Sequence, residues 1–436
     1  MTELPSAIVT DVISSSMTEA TVSKGRRWPS VPSGVGFAGV SAAMVAILVA
    51  AGAPTPLLPI YEHEWGFPAW MLTLAFGVYA IALLVSILVI GSLSDHIGRR
   101  PLMIFALALE LVSMLVFLLA PSVGWLIVAR IVQGIATGAA SSSLSAAVVE
   151  LAPANRKKLG ALMSGLAPLA GLAIGALFAG LLAQYATDPY AVVWLVLVLV
   201  MVAGTVFVLF VPETVTRKPG AVASLIPRVS LPAQVRGLFT ASLAGIIGAF
   251  MMMSLFLGLV PIVLVGAFAV TDPIVGASAA FVAFGVGTVV SVLTGNARPH
   301  NLRSVGSAAL VVGSVMFIGA VGADALPLLW IAAVFGGAGL GAVFSGITRG
   351  LVPEVAPHER AALFATIYLV AYLSMGLSAI VAGLFVDVVG IGTVAVSFGI
   401  VTAVVALISV FTTTTHTARR KKAIAPQYAA RTQPAR

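Results

Sequence analysis

Two ionisable side chains, Glu110 and Arg130, stand deep inside long apolar stretches of this chain. A charge near the centre of a bilayer costs at least ~2.5–3.5 kcal/mol, so each must be paired or must do chemistry. A carboxyl at such a depth can carry a proton, or can stay neutral and bond a helix carbonyl. A guanidinium there can hold an anion or a carboxylate that changes its protonation state; it can also snorkel or pin neighbouring carbonyls. Arg130 comes six residues after Gly124, which places it roughly 9 Å below one edge of its segment. Glu110 comes eight residues after Leu102, roughly 12 Å from the opposite edge by the same rise.

A second constellation is the run Gly91-Ser-Leu-Ser-Asp95-His-Ile-Gly98-Arg99-Arg100, set between two apolar segments. Asp95 can cap the next turn or pair with an arginine. Arg99 and Arg100 can reach Asp95, Glu150 and helix-terminal carbonyls. Gly91 is small enough to let two helices approach closely. Other chemistries are poorly supplied. There is no cysteine, and the five histidines (His63, His96, His300, His358 and His416) are expected in loops without metal-ligand spacing. No glycine-rich lysine loop for nucleotide phosphates and no nucleophile–base pair is present, so no metal, cofactor or enzymatic activity is expected. Amphipathic side chains remain: Tyr79 and Gln133, Tyr368 and Tyr372 four residues apart, and Phe250 ahead of Met251, Met252 and Met253. A phenol in a membrane wants a partner, whereas each Phe and Met has lipid-facing or packing roles as its default.

These residues need elements to hold them. Of the 436 residues 60% are hydrophobic and 9% are charged, whereas a soluble domain carries about 25% charged residues. Twelve segments are long enough to cross ~30 Å of hydrocarbon: 37–60, 69–91, 102–120, 124–149, 160–184, 190–211, 238–265, 274–295, 305–323, 327–349, 361–386 and 391–412. Helices are the expected form, since isolated strands leave backbone groups unpaired in lipid and barrel-type alternation is absent. With the N-terminus inside, the cytoplasmic loops and tails receive 22 of the 23 Lys and Arg residues, and Arg130 is the remaining one. The outer loops receive Glu62, Glu64, Asp188, Asp272, Asp324 and Asp387. The positive-inside rule then predicts cytoplasmic termini and an even number of spans. The net charge of +8 follows from this asymmetry, so nucleic acid is not an expected partner; the lipid bilayer is.

The chain repeats. A shift of 204 takes Gly91, His96 and Arg99 to Gly295, His300 and Arg303, and takes Glu150, Pro153 and Arg156 to Glu354, Pro357 and Arg360. One offset for two loops predicts two parallel six-helix halves. The expected organisation is a disordered N-terminal tail (1–36), a first bundle (37–211), a linker (212–237), a second bundle (238–412) and a basic tail (413–436) that is also disordered. The equivalent of Asp95 in the second half is Pro299, so that loop should hold a weaker cluster or none.

These features resemble the major facilitator superfamily over residues 37–412. The loop Gly91–Arg100 matches that superfamily's signature between its second and third helices. Arg130-Ile-Val-Gln-Gly134 resembles its fourth-helix motif, common in the proton-coupled branch, and Pro212-Glu213-Thr214 is typical of the end of its sixth helix. The resemblance implies an all-α fold of twelve transmembrane helices in two pseudo-symmetric bundles. It also implies a monomer at the plasma (inner) membrane, working by alternating access. Under it, Gly91, Asp95, Gly98, Arg99, Arg100 and Glu150 are expected to latch the cytoplasmic side while the protein faces outward. Arg130 and Glu110 are expected to couple protons or hold substrate. Tyr79, Gln133, Phe250, Tyr368 and Tyr372 are expected to line the cavity. The fifth helix keeps Pro168 and Gly171 of the drug exporters' hinge motif, but alanine precedes the proline and the second closing glycine is leucine. The membrane-embedded acid that many exporters carry on the first helix is absent. The expected activity is proton-driven export of lipophilic or amphipathic small molecules, with the proton gradient as energy source. The alternative is a symporter or facilitator for a sugar, a small organic acid or another metabolite.

Overall fold

A computed structural model describes residues 30–227 and 229–431, without the side chains of Pro357 and of residues 416–431. The expected N-terminal tail lies almost wholly outside the described residues, and so does Arg228 of the linker. The described residues are helices joined by short turns and by one longer connection, 209–232, with twelve spans long and apolar enough to cross a membrane. They are α1 Ser33–Trp65, α2 Trp70–Ile90, α3 Arg99–Leu118, α4 Val123–Leu151, α5 Ala154–Tyr185 and α6 Pro189–Val208 in the first half. The second half holds α7 Ala233–Gly266, α8 Pro273–Leu293, α9 Pro299–Gly322, α10 Pro327–Glu354, α11 Arg360–Val389 and α12 Ile391–Thr415.

Most spans run longer than hydropathy alone predicted, because polar residues finish turns that the apolar count leaves out. Glu62, His63 and Glu64 lie on the last turns of α1. His96 lies on a short helix, Ser94–Ile97, and His300 and Arg303 lie on α9. The expected loop positions of these histidines are thereby corrected. The last helix continues to Arg431, where a disordered tail from 413 was expected.

Three irregularities have local causes. In α1 the helix breaks between Gly52 and Pro54, since proline removes a backbone donor and clashes with the preceding turn. In α7 a π-helical turn at Leu255–Leu259 comes just before Pro261. The extra residue in that turn relieves the clash of the proline ring with the carbonyl four residues back. By contrast, α5 runs unbroken through Pro168.

Two apolar cores result. One belongs to the first half, built on Ile47, Leu57, Leu102, Leu144 and Trp194. The other belongs to the second half but takes in Phe76, Tyr79 and Leu83 of α2 and Leu172 and Ala176 of α5. Helices α2 and α5 therefore carry the first bundle's contact surface. The close approaches across it gather toward the acid-bearing end: Thr73 against Gly383, Gly77 against Ile380, and Gly180 against Ala277. Small side chains permit this approach where lipid supplies no hydrophobic drive.

Candidate functional site

The centre of the first bundle holds a buried polar chain. Arg130 and Gln133 are three apart on α4 and so share a face. Arg130 Nη1 donates to Gln133 Oε1 at 2.7 Å and to the Ala51 carbonyl at 3.4 Å. Gln133 Nε2 donates to Glu110 Oε1 of α3 at 3.1 Å and to the Ala50 carbonyl at 3.0 Å. The two carbonyls come free where α1 breaks, so the break in one helix supplies acceptors to another. The guanidinium carbon of Arg130 sits 4.6 Å from the centre of the Tyr79 ring on α2, a cation–π contact. Glu110, Gln133 and Arg130 are at most 1% exposed. Glu110 and Arg130 form no ion pair; Gln133 stands between them. Glu110 Oε2 and Arg130 Nε have no hydrogen-bond partner among the described residues.

This arrangement revises part of the expected site. Gln133, expected to line the cavity, is fully buried here and bridges three helices. Tyr79 is buried as well, stacked on Arg130. Glu110 faces into the bundle rather than toward lipid. The sequence marked Glu110 and Arg130 as candidates but gave no sign that an amide one turn away would join them.

Across the contact surface, the second bundle presents a row of aromatic rings. Phe250 of α7 meets Tyr372 of α11 edge-on at 5.6 Å and Phe344 of α10 at 6.0 Å. Tyr372 continues to Tyr368 at 5.9 Å, and Tyr368 to Phe364 at 6.0 Å. The four-residue spacing read from the sequence does put Tyr368 and Tyr372 on one face. Tyr79 is buried in the second half's apolar core, against which Tyr372 also packs, so the polar chain and the aromatic row border the same core.

The signature residues form a separate cluster at the basic end. Arg99 Nη1 pairs with Asp95 at 2.6 Å, and Nη2 with Glu150 at 3.2 Å. Arg99 also donates to the Ser94 hydroxyl, and the Thr214 hydroxyl donates to Glu150. These side-chain partners all belong to the first half and the segment just after it. Glu213 accepts from the backbone N–H groups of Arg99 at 2.8 Å and Arg100 at 3.2 Å, capping α3. Gly98 has φ +107°, and a Cβ there would fall 2.4 Å from Glu213, so only glycine fits. Gly91 does not sit between two helices as expected: its nearest neighbour is the Ile87 carbonyl of its own chain. Asp95 pairs with Arg99 and makes no cap. Sequence reasoning noted Glu213 within the motif Pro212-Glu213-Thr214 but gave it no role. On α5, Gly171 packs on Leu48 of α1, so its role here is close packing.

Comparison with known proteins agrees with this fold. Residues 40–349 match the Major Facilitator Superfamily, and the chain belongs to that family. It is a multi-pass membrane protein and a secondary transporter rather than an enzyme. It is 26% identical over 156 residues to the MFS-type transporter paaT of Penicillium rubens. That match covers 36% of this chain and 28% of that protein. Among solved structures, the human organic anion transporter MFSD10 (TETRAN) superposes with a TM-score of 0.64 at 17% identity. It covers 87% of this chain and 100% of that one. A POT family transporter in complex with 5-aminolevulinic acid gives a TM-score of 0.72 at 14% identity, covering 88% and 97%. At these identities the solved structures speak for the fold alone.

Proposed function

We propose that this transporter exports lipophilic or amphipathic small molecules in exchange for protons. The observation that carries the reading is the Glu110–Gln133–Arg130–Tyr79 chain. Its carboxyl is buried at mid-membrane depth, is not neutralised by a direct ion pair and keeps one free oxygen. A proton gained or lost at Glu110 changes the charge that Gln133 relays to Arg130, and Arg130 bears on Tyr79 at the bundle interface. The aromatic row facing it offers flat, weakly polar surfaces suited to apolar substrates, with a single guanidinium nearby. Uptake of an anionic metabolite is the second reading. It would need Arg130 released from Gln133 and Tyr79, which makes it the weaker one.

In this reading the basic face and both termini are cytoplasmic, the membrane is the plasma membrane and the protein works as a monomer. The Arg99–Asp95–Glu150 cluster, held here within the first half, is the part of that bundle that would latch onto the second half on the cytoplasmic side when the acid-bearing end opens. No resident cofactor takes part; the proton gradient drives the cycle.

The test uses proteoliposomes with an acidic lumen and a trapped pH-sensitive dye. Lipophilic cations, neutral drugs, sugars and carboxylates are added in turn. Lumenal alkalinisation with a lipophilic compound, lost in Glu110→Gln, is the expected result. Acidification with a sugar or carboxylate would establish the symport reading instead. Uptake of labelled substrate without proton movement in any class would overturn proton coupling.

A further inference from the structure

Away from the bundle interface, the acid-bearing face of the first half carries a depression of about 230 Å³ at the ends of α1, α3 and α6. Its walls include the aromatic side chains Tyr61, Trp65, Phe117 and Tyr190 and the carboxylates Glu64 and Asp188. The aromatic walls are fixed in place. Tyr61 stacks on Tyr190 with ring centres 4.2 Å apart and leans on Trp65 at 4.7 Å. The fully buried Trp194 donates its indole N–H to the Tyr61 hydroxyl at 2.9 Å and stacks on Phe117 at 4.2 Å. One oxygen of Asp188 accepts the Ala191 N–H at 3.0 Å, which holds that carboxylate at the rim. Both carboxylates line the same depression as the two phenols, so acids and rings form one group. The chain offers no lysine or arginine in the loops expected on this face to neutralise them.

We infer that this depression is a binding site for a small organic cation of the alkylammonium class. The half-buried rings of Trp65 and Tyr190, backed by the buried Tyr61 and Phe117, attract a diffuse positive charge, and nearby carboxylates add to that attraction. Prefixed rings bind without an ordering cost. A metal ion fits less well. Among the described residues no group of three or more His, Cys, Asp or Glu side chains is placed to hold one, and calcium wants roughly six to eight oxygens. An uncharged apolar ligand would bury the carboxylates without pairing them. The site lies within one bundle, apart from the Glu110–Arg130 chain, and the inference does not rest on proton coupling or on the direction of transport.

Isothermal titration calorimetry on the purified full chain in lipid nanodiscs tests it, with tetramethylammonium as probe. Three controls accompany it: 3,3-dimethylbutan-1-ol, an uncharged molecule whose tert-butyl end matches the trimethylammonium part of the probe, calcium chloride and sodium chloride. Saturable binding of tetramethylammonium alone is expected, weakened about tenfold in Glu64→Gln and in Trp65→Leu. Asp188→Asn keeps an oxygen for the Ala191 N–H and removes only the charge, so it should weaken binding in the same direction without loosening α6. Unchanged circular dichroism verifies that the variants fold. Four results would overturn the inference: no saturable heat with tetramethylammonium, equal binding of the neutral alcohol, calcium binding without tetramethylammonium binding, or variants that bind like the wild type.

Discussion

At the scale of single residues, the central finding is that an amide separates the buried carboxyl of Glu110 from the buried guanidinium of Arg130. Gln133 donates to Glu110 and accepts from Arg130 at once, so either neighbour's state is felt by the other. Replacing Glu110 by Gln should leave exchange of labelled substrate across the vesicle membrane intact while abolishing accumulation driven by a pH gradient. Loss of exchange as well would assign Glu110 a structural role. Gln133→Leu is expected to do more damage, since it strands a carboxyl oxygen, a guanidinium N–H and the Ala50 carbonyl. Each stranded group costs about 1–3 kcal/mol, and the thermal unfolding midpoint in detergent should fall accordingly. Glu110 and Arg130 were legible in the sequence because charge in an apolar run is rare. Gln133 was legible only as a polar residue, since nothing in a sequence says which way an amide on a helix points.

At the scale of elements, the start of α3 depends on a residue more than a hundred positions away. Glu213 caps the first N–H groups of α3 across the turn held by Gly98, and so ties the end of the first bundle to its signature loop. Glu213→Ala should cost about 1 kcal/mol through the lost cap. Gly98→Ala should cost at least ~1–2 kcal/mol from the left-handed backbone alone, before the contact with Glu213 is counted. Differential scanning fluorimetry of both variants checks the order: Gly98→Ala should melt lower. Arg349 does a similar task in the second half. It donates to the carbonyls of Thr294, Gly295 and Ser291 at 2.8–3.2 Å, where the helix dipole favours a cation. The motif Pro212-Glu213-Thr214 was visible in the sequence, but its function was not, because capping requires proximity that only the fold creates.

At the scale of the whole molecule, the two bundles meet most closely toward the acid-bearing end, along α2 against α11 and α5 against α8. Alternating access requires that contact to open. The chain has no cysteine, so a pair can be introduced without background. A Cβ at Gly376 would lie 3.2 Å from that of Ala80, close to the ~3.5–4.5 Å a disulfide needs. The double variant Ala80→Cys/Gly376→Cys should cross-link under mild oxidation and stop transport, with recovery on reduction. Full transport by the cross-linked protein would mean that this contact does not open during the cycle.

The sequence by itself determined the number of spans, their pairing into halves and the depth of Glu110 and Arg130, but not the burial of Arg303, which it placed in a loop. Those properties follow from local physics: apolar length against bilayer thickness, a constant repeat offset, and the cost of charge in hydrocarbon. Span ends were less legible, because Glu62, His63 and Glu64 complete turns that hydropathy leaves out. The relay through Gln133, the Glu213 cap, the π-helical turn beside Pro261 and the aromatic depression on the acid-bearing face were decided only by tertiary structure. Each joins side chains or backbone groups whose meeting depends on helix rotation and on which helices become neighbours, and periodicity along one chain does not encode either.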